Sequence, residues 1–194
     1  MTIKSIKSGF TGISALAGND QWFGDYEIIY SYRVPSGGIT TFEFSSIPQT
    51  YQHLELRTTA KDTAQASGSF NLRARFNGDS AGNYALHRLF SNGTSASADA
   101  YTGQTSFIAG NVAANGFSNV YSAGICQILD YTSVNKYKTI RTLSGADVNG
   151  TDGYIFHTSN LWLNKTSAVT SITIITDATA IAVNSYFALY GIRG

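Results

Sequence analysis

Paired imidazoles are common zinc ligands, so the three histidines, His53, His87 and His157, are the first candidates for chemistry. They fall on separate segments, with no H-E-x-x-H spacing and no cysteine beside them, so they read as strand histidines and no metal site is expected from them. Asp147-Val148-Asn149-Gly150-Thr151-Asp152-Gly153 is the better metal candidate. Oxygen side chains spaced along a glycine-bearing loop can wrap a hard cation, and Asp147, Asn149 and Asp152 would be its calcium ligands. The segment departs from the EF-hand pattern, because Thr151 stands at the third ligand position and the downstream bidentate Glu is missing. Asp and Asn also close turns by bonding their own backbone, so an ion-free turn is expected and no cofactor is assigned.

Nucleophiles are equally sparse. The single cysteine, Cys126, lies in the apolar run Gly124-Ile125-Cys126-Gln127-Ile128-Leu129, which predicts a buried, inert thiol. A chain with no disulfide to form is suited to assembly in a reducing bacterial cytoplasm. There is no G-x-S-x-G elbow and no glycine-rich phosphate loop followed by Lys. Glu43, Glu55, Asp130 and Asp152 are too scattered to announce the facing carboxylates that glycoside hydrolysis requires. The chain is read as a non-enzyme. Among the aromatics, Trp162 between Leu161 and Leu163 is expected in the core, whereas Trp22 is free to anchor on a partner or on the domain's own edge.

Such residues must be positioned by a fold, and composition limits which one. Of 194 residues, 43% are hydrophobic and 13% aromatic, enough to build a core in one domain. Only 13% are charged, with a formal net charge of +1; Ser, Thr, Asn and 19 Gly fill the polar share. That surface has no basic field for phosphates, so no nucleic-acid partner is expected. No stretch reaches transmembrane length and residues 1–10 have no apolar leader region, so neither a membrane nor a secretory route is expected. Asn92-Gly93-Thr94, Asn149-Gly150-Thr151 and Asn164-Lys165-Thr166 are accordingly read as turns rather than glycosylation sites.

Residues 1–24 have no sustained period and recurrent Gly, and are read as an extended N-terminal arm. Its apolar Ile6, Phe10, Ile13 and Leu16, with Lys4, Lys7 and Trp22, form the expected docking set, placed on the chain's own domain or on another subunit. Residues 25–194 form one domain. Alternation of period two begins at Tyr26-Arg33, which is expected to pair with Ile39-Phe44 as a hairpin across Pro35-Ser36-Gly37-Gly38. It recurs in Gln52-Arg57 and in Phe70-Phe76. Asn77-Gly78-Asp79 then signals a second hairpin, making Tyr84-Phe90 the neighbour of Phe70-Phe76. Further strands are expected at 105–108, 121–130, 138–143, 154–157, 161–163, 170–176 and 186–192. The tract 91–119 reads as a loop region suited to contacts. With no helix pattern and no βα alternation, the expected fold is all-β: an antiparallel β-sandwich, jelly-roll-like, with the arm attached.

Several segments resemble a family of short virion proteins of tailed phages that infect marine and freshwater bacteria, cyanophages included. The resemblance is carried by Lys4-Asp20, Phe44-Leu54, Arg75-Asp79, Lys136-Arg141, Leu161-Val169 and the ending Leu189-Tyr190-Gly191-Ile192-Arg193-Gly194, which together span nearly the whole chain. It implies membership of the virion and brings no catalytic residues with it. A neutral β domain with an arm suits a capsid decoration or cement protein, docked through the arm on the major capsid protein and self-associated, with a homotrimer at threefold positions favoured. The alternative is a tail-fibre or receptor-binding tip, anchored on tail proteins and touching host glycans through loops such as 91–119.

Overall fold

The computed structural model describes residues 25–148 and 153–193. Within them the chain is all-β, an antiparallel sandwich of twelve strands: β1 (Tyr26–Arg33), β2 (Thr41–Phe44), β3 (His53–Ala60), β4 (Ser69–Phe76), β5 (Tyr84–Ser91), β6 (Ala96–Gln104), β7 (Phe107–Ala113), β8 (Ser122–Ile128), β9 (Lys138–Ala146), β10 (Tyr154–Trp162), β11 (Ile172–Thr176) and β12 (Tyr186–Ile192). Eight strands form one sheet in the order β1-β12-β3-β8-β9-β10-β5-β6, and four form the other in the order β2-β11-β4-β7. The arm residues Lys4, Ile6, Lys7, Phe10, Ile13, Leu16 and Trp22 lie outside the described residues, as do Asn149 and Asp152 of the calcium alternative.

Strand alternation explains the core. On β3, Leu54, Leu56, Thr58 and Ala60 point inward; on β4, Leu72, Ala74 and Phe76 do so from the facing sheet. Between them Phe76 sits against Phe107 at 4.6 Å and edge-on to Trp162 at 5.3 Å between ring centroids, so Trp162 is core as expected. The Trp162 indole N–H donates to the Asp79 carboxylate at 2.7 Å, which satisfies its one polar atom.

Two expected hairpins are corrected. Tyr26–Arg33 does not pair with the segment after Gly38: β1 lies against β12 in the large sheet and β2 against β11 in the small one. After Arg33 the chain bonds the 181–185 segment instead, through Val34 N–H to Ser185 O at 2.9 Å and reciprocal bonds between Ile39 and Ile181. Gly38, at φ +72, permits this approach, since a Cβ there would stand 2.8 Å from the Ile181 carbonyl oxygen. The second hairpin fails differently. Asn77 and Gly78 do adopt the left-handed pair of a tight turn, closed by Asp79 N–H to Phe76 O at 2.9 Å, but β4 and β5 then belong to different sheets. The Asn77 side chain is committed elsewhere: its Oδ1 accepts from the Thr170 and Ser171 amides and its amide donates to Ala168 O. The turn chemistry was legible; the strand that follows was free to cross the sandwich.

The tract 91–119 is also corrected. It holds β6 and β7, and β7 is buried along its whole length. Its small residues are the reason. Ala109 and Gly110 let the β7 backbone lie close to the large sheet, where a Cβ on Gly110 would be 3.3 Å from Thr58 Oγ1. Polar side chains bind the two layers there: Thr142 Oγ1 donates to Ile108 O at 2.8 Å, Asn160 Oδ1 accepts from Ile108 N–H at 3.1 Å, and Ser144 Oγ donates to Asn111 Oδ1 at 2.5 Å. Segments 154–157 and 161–163, expected as two strands, are one strand up to Trp162.

Candidate functional site

The outer face of the eight-stranded sheet carries the candidate site. Residues that alternate away from the core should be polar on a solvated sheet. Here four adjacent strands present Leu89 (β5), Leu143 (β9), Ile125 (β8) and Ile155 (β10), exposed by 55, 52, 44 and 56%. Registration brings them together. Ile125 stands opposite Leu143, Leu143 opposite His157 and His157 opposite Leu89, while Gly145 lies between Ala123 and Ile155. Half-exposed aliphatic side chains on neighbouring strands form one contiguous apolar surface, the kind that marks a contact site.

A groove of about 1010 Å³ runs over this surface. Gly145 brings no side chain to its floor; Arg57 and the Asn92-Gly93-Thr94 turn stand around it. The turn is self-sufficient: Asn92 Oδ1 accepts from the amides of Thr94 and Ser95, and Asn164 makes the same arrangement with Thr166 and Ser167. Two of the three glycosylation-like tripeptides are thus turns, and Asn149 lies outside the described residues.

Arg57 is the cation of the groove. Its Nε donates to Glu55 Oε1 at 2.9 Å, and its guanidinium stacks over the rings of Tyr190 and Tyr26, 4.8 and 5.5 Å from their centroids. The Glu55 hydrogen bond holds the Arg57 pKa above its ordinary value, and the nearby Glu55 charge likewise raises the Tyr26 hydroxyl. The side chain is a fixed cation with a restricted orientation.

Other expected residues fall into structural roles. Cys126 is buried, and burial pushes its thiol up to about 12, which removes the thiolate that a nucleophile needs. His87 and His157 share the outer face in diagonal positions on β5 and β10 and are exposed; His53 at the start of β3 accepts the Asp130 amide at its Nδ1, 2.9 Å away. No group of three or more His, Cys, Asp or Glu able to hold a metal occurs among the described residues. Asp147 borders the groove. Of the scattered carboxylates, Glu55 is engaged by Arg57 and Tyr26, Asp130 by Lys136 at 2.8 Å, and Glu43 lies on β2 of the other sheet. The sequence reading passed over Leu89, Ile125, Leu143 and Ile155, although apolar residues at both parities of β8 were a visible signal. Comparison of the chain with models of known protein families, with characterised proteins and with solved structures found no match.

Proposed function

We propose that this protein is a non-enzymatic structural component of a tailed-phage particle, a capsid decoration protein whose arm docks on the capsid while the β domain makes lateral contacts through its outer sheet face. The apolar surface of Leu89, Ile125, Leu143 and Ile155 supports the contact role. The likeness of the sequence to short virion proteins supports the setting. Covering four half-exposed aliphatic side chains contributes about 1 kcal/mol each, or ~4 kcal/mol before the cost of immobilising a partner. That is too little for one copy to hold firmly to another molecule, and enough when many copies bind one lattice with an arm each.

The test is a binding assay on particles stripped of this protein. Full-length chain should rebind; Leu143→Asp and Ile155→Asp should weaken rebinding, and removal of residues 1–24 should weaken it further. Undiminished binding by the truncated chain would refute arm docking. The tail-tip reading keeps one observation in its favour: a smaller pocket of about 200 Å³ brings Tyr154, Phe90 and Phe156 beside Asn92 and Ser95, a pairing of aromatic rings and neutral polar groups suited to sugars. Binding of the isolated protein to host-envelope glycans, lost on Tyr154→Ala, would replace the capsid reading with that one.

A further inference from the structure

Two open sheets have four edge strands, and they are not alike. An edge strand exposes unpaired backbone N–H and C=O groups that will pair with another strand unless the edge is shortened, bulged, charged or covered. β2 is four residues long and carries Glu43. β1 is broken by a register shift between Ile28 and Tyr30 and carries Glu27 and Arg33, with Glu27 in an ion pair with Arg193. β7 is buried at every residue. β6 has none of these protections over most of its length. Among the described residues it pairs only with β5, and Ala96 to Tyr101 run in unbroken register against Ser91 to Leu86. Of its nine residues only Asp99 and Gln104 are not exposed. It has no Lys, Arg or Pro, and its one charge, Asp99, is neutralised by a two-point ion pair with Arg88 on β5.

We propose that β6 is a self-association edge: the β6 strands of two copies pair antiparallel about a twofold axis and join two eight-stranded sheets into one. A second copy of this chain is the partner that fits. The edge is uncharged, so bringing it against itself costs no like-charge repulsion, and a twofold pairing closes on itself and leaves no free β6 edge behind. The pairing also joins the apolar faces. Leu89 on β5 stands directly opposite Ala98 on β6, and Ile155 reaches the same edge through Ser91 and Ala96, so the two patches would become one surface across the joint. The chain's own residues 1–24 are the poorer occupant. They begin from β1 at the far edge of the sheet, seven strand spacings or about 34 Å away, and Gly9, Gly12 and Gly18 would weaken them as an added strand.

This proposal adds a self-association edge to the assembly role proposed above, on which it rests, and it is tested in solution, so it can fail while the protein is still found on particles, or hold if it is not. Sedimentation of the full chain should give a dimer. Ala98→Lys places a cation on the exposed edge of each copy and should weaken the dimer roughly tenfold, with the thermal midpoint of the domain unchanged at concentrations where both proteins are monomeric. In separate full-length variants, Ala96→Cys, Ala98→Cys and Ala100→Cys, oxidation should link two copies fastest at the position nearest the twofold axis; buried Cys126 supplies no competing thiol. A monomer, a trimer of the kind the sequence suggests, or a dimer indifferent to Ala98→Lys and uncrosslinked by all three cysteines would overturn it. So would a monomer whose β6 amides resist hydrogen exchange, because the chain's own arm would then cover the edge.

Discussion

Replacing Asp62 with Asn should cost this domain about 3–6 kcal/mol. Asp62 is fully buried just beyond β3, where the backbone also meets Ala113 of β7 and, through an isolated bridge, Ile181. Its Oδ2 accepts from the amides of Gln65 at 2.6 Å and Ala64 at 3.1 Å; its Oδ1 accepts from Thr179 at 3.1 Å and Ala180 at 3.3 Å. Asp62→Asn keeps the shape but turns one acceptor into a donor that faces two amide hydrogens. Two charge-assisted bonds at about 1.5–3 kcal/mol each are lost, a large part of the ~5–15 kcal/mol by which native proteins are stable. Burial alone would raise the carboxyl, but the amides of Gln65, Ala64 and Ala180 outweigh it and hold the pKa below the ordinary carboxylate value. A carboxylate depressed in the folded state contributes stability that is fully present above its unfolded pKa of about 4 and is lost as pH falls through the folded value. Urea unfolding at several pH values should therefore show a wild-type advantage that is constant at neutral pH and narrows below about pH 4, with the m value unchanged. An advantage under 1 kcal/mol, or one that ignores pH, would refute this account of the junction.

Four further perturbations have defined outcomes. Gly124→Ala places a Cβ 2.7 Å from Thr58 Oγ1 and 3.2 Å from Ser144 Cβ, in the close layer under β7, and should cost about 1–3 kcal/mol in denaturant unfolding. Thr58→Val removes a buried hydroxyl that has no hydrogen-bond partner, so it should leave stability unchanged or raise it by about 1 kcal/mol; a loss of 2 kcal/mol would contradict that reading. Cys126 should resist thiol reagents at pH 8 until the protein unfolds, giving a modification rate that tracks the unfolded fraction rather than thiol ionisation. Leu143→Asp on the outer face should change the unfolding free energy by under about 0.5 kcal/mol while particle rebinding falls, which separates the contact surface from the core.

Period-two alternation made most strands readable, because one buried face forces it: Phe70–Phe76 falls on β4, where Leu72, Ala74 and Phe76 are buried. Pairing was not readable at the same level. Asn77-Gly78 specifies a turn, but Asn77 reaches Thr170 and Ser171, more than ninety residues away, and those bonds direct the chain across the sandwich. Composition misled in 91–119, where Ala, Gly and Asn resemble a loop because β7 is packed too tightly to admit larger side chains. The outer patch was hidden for a related reason. Ile125 lies next to Cys126 in an apolar run, and only the register with Leu143 reveals that it faces out. The arm set of Lys4, Ile6, Lys7, Phe10, Ile13, Leu16 and Trp22 lies outside the described residues, so its role is tested by binding alone.

The central claim is that this chain works by attachment within a particle. Imaging of intact particles at a resolution that resolves β-sheets, with and without the protein, tests it most directly. The account predicts ordered sandwiches on the capsid surface, the outer face of each large sheet in contact with a neighbour and residues 1–24 running onto the capsid protein. Particles that carry no such density, or density at the tail tip with the large sheet facing solvent, would contradict it.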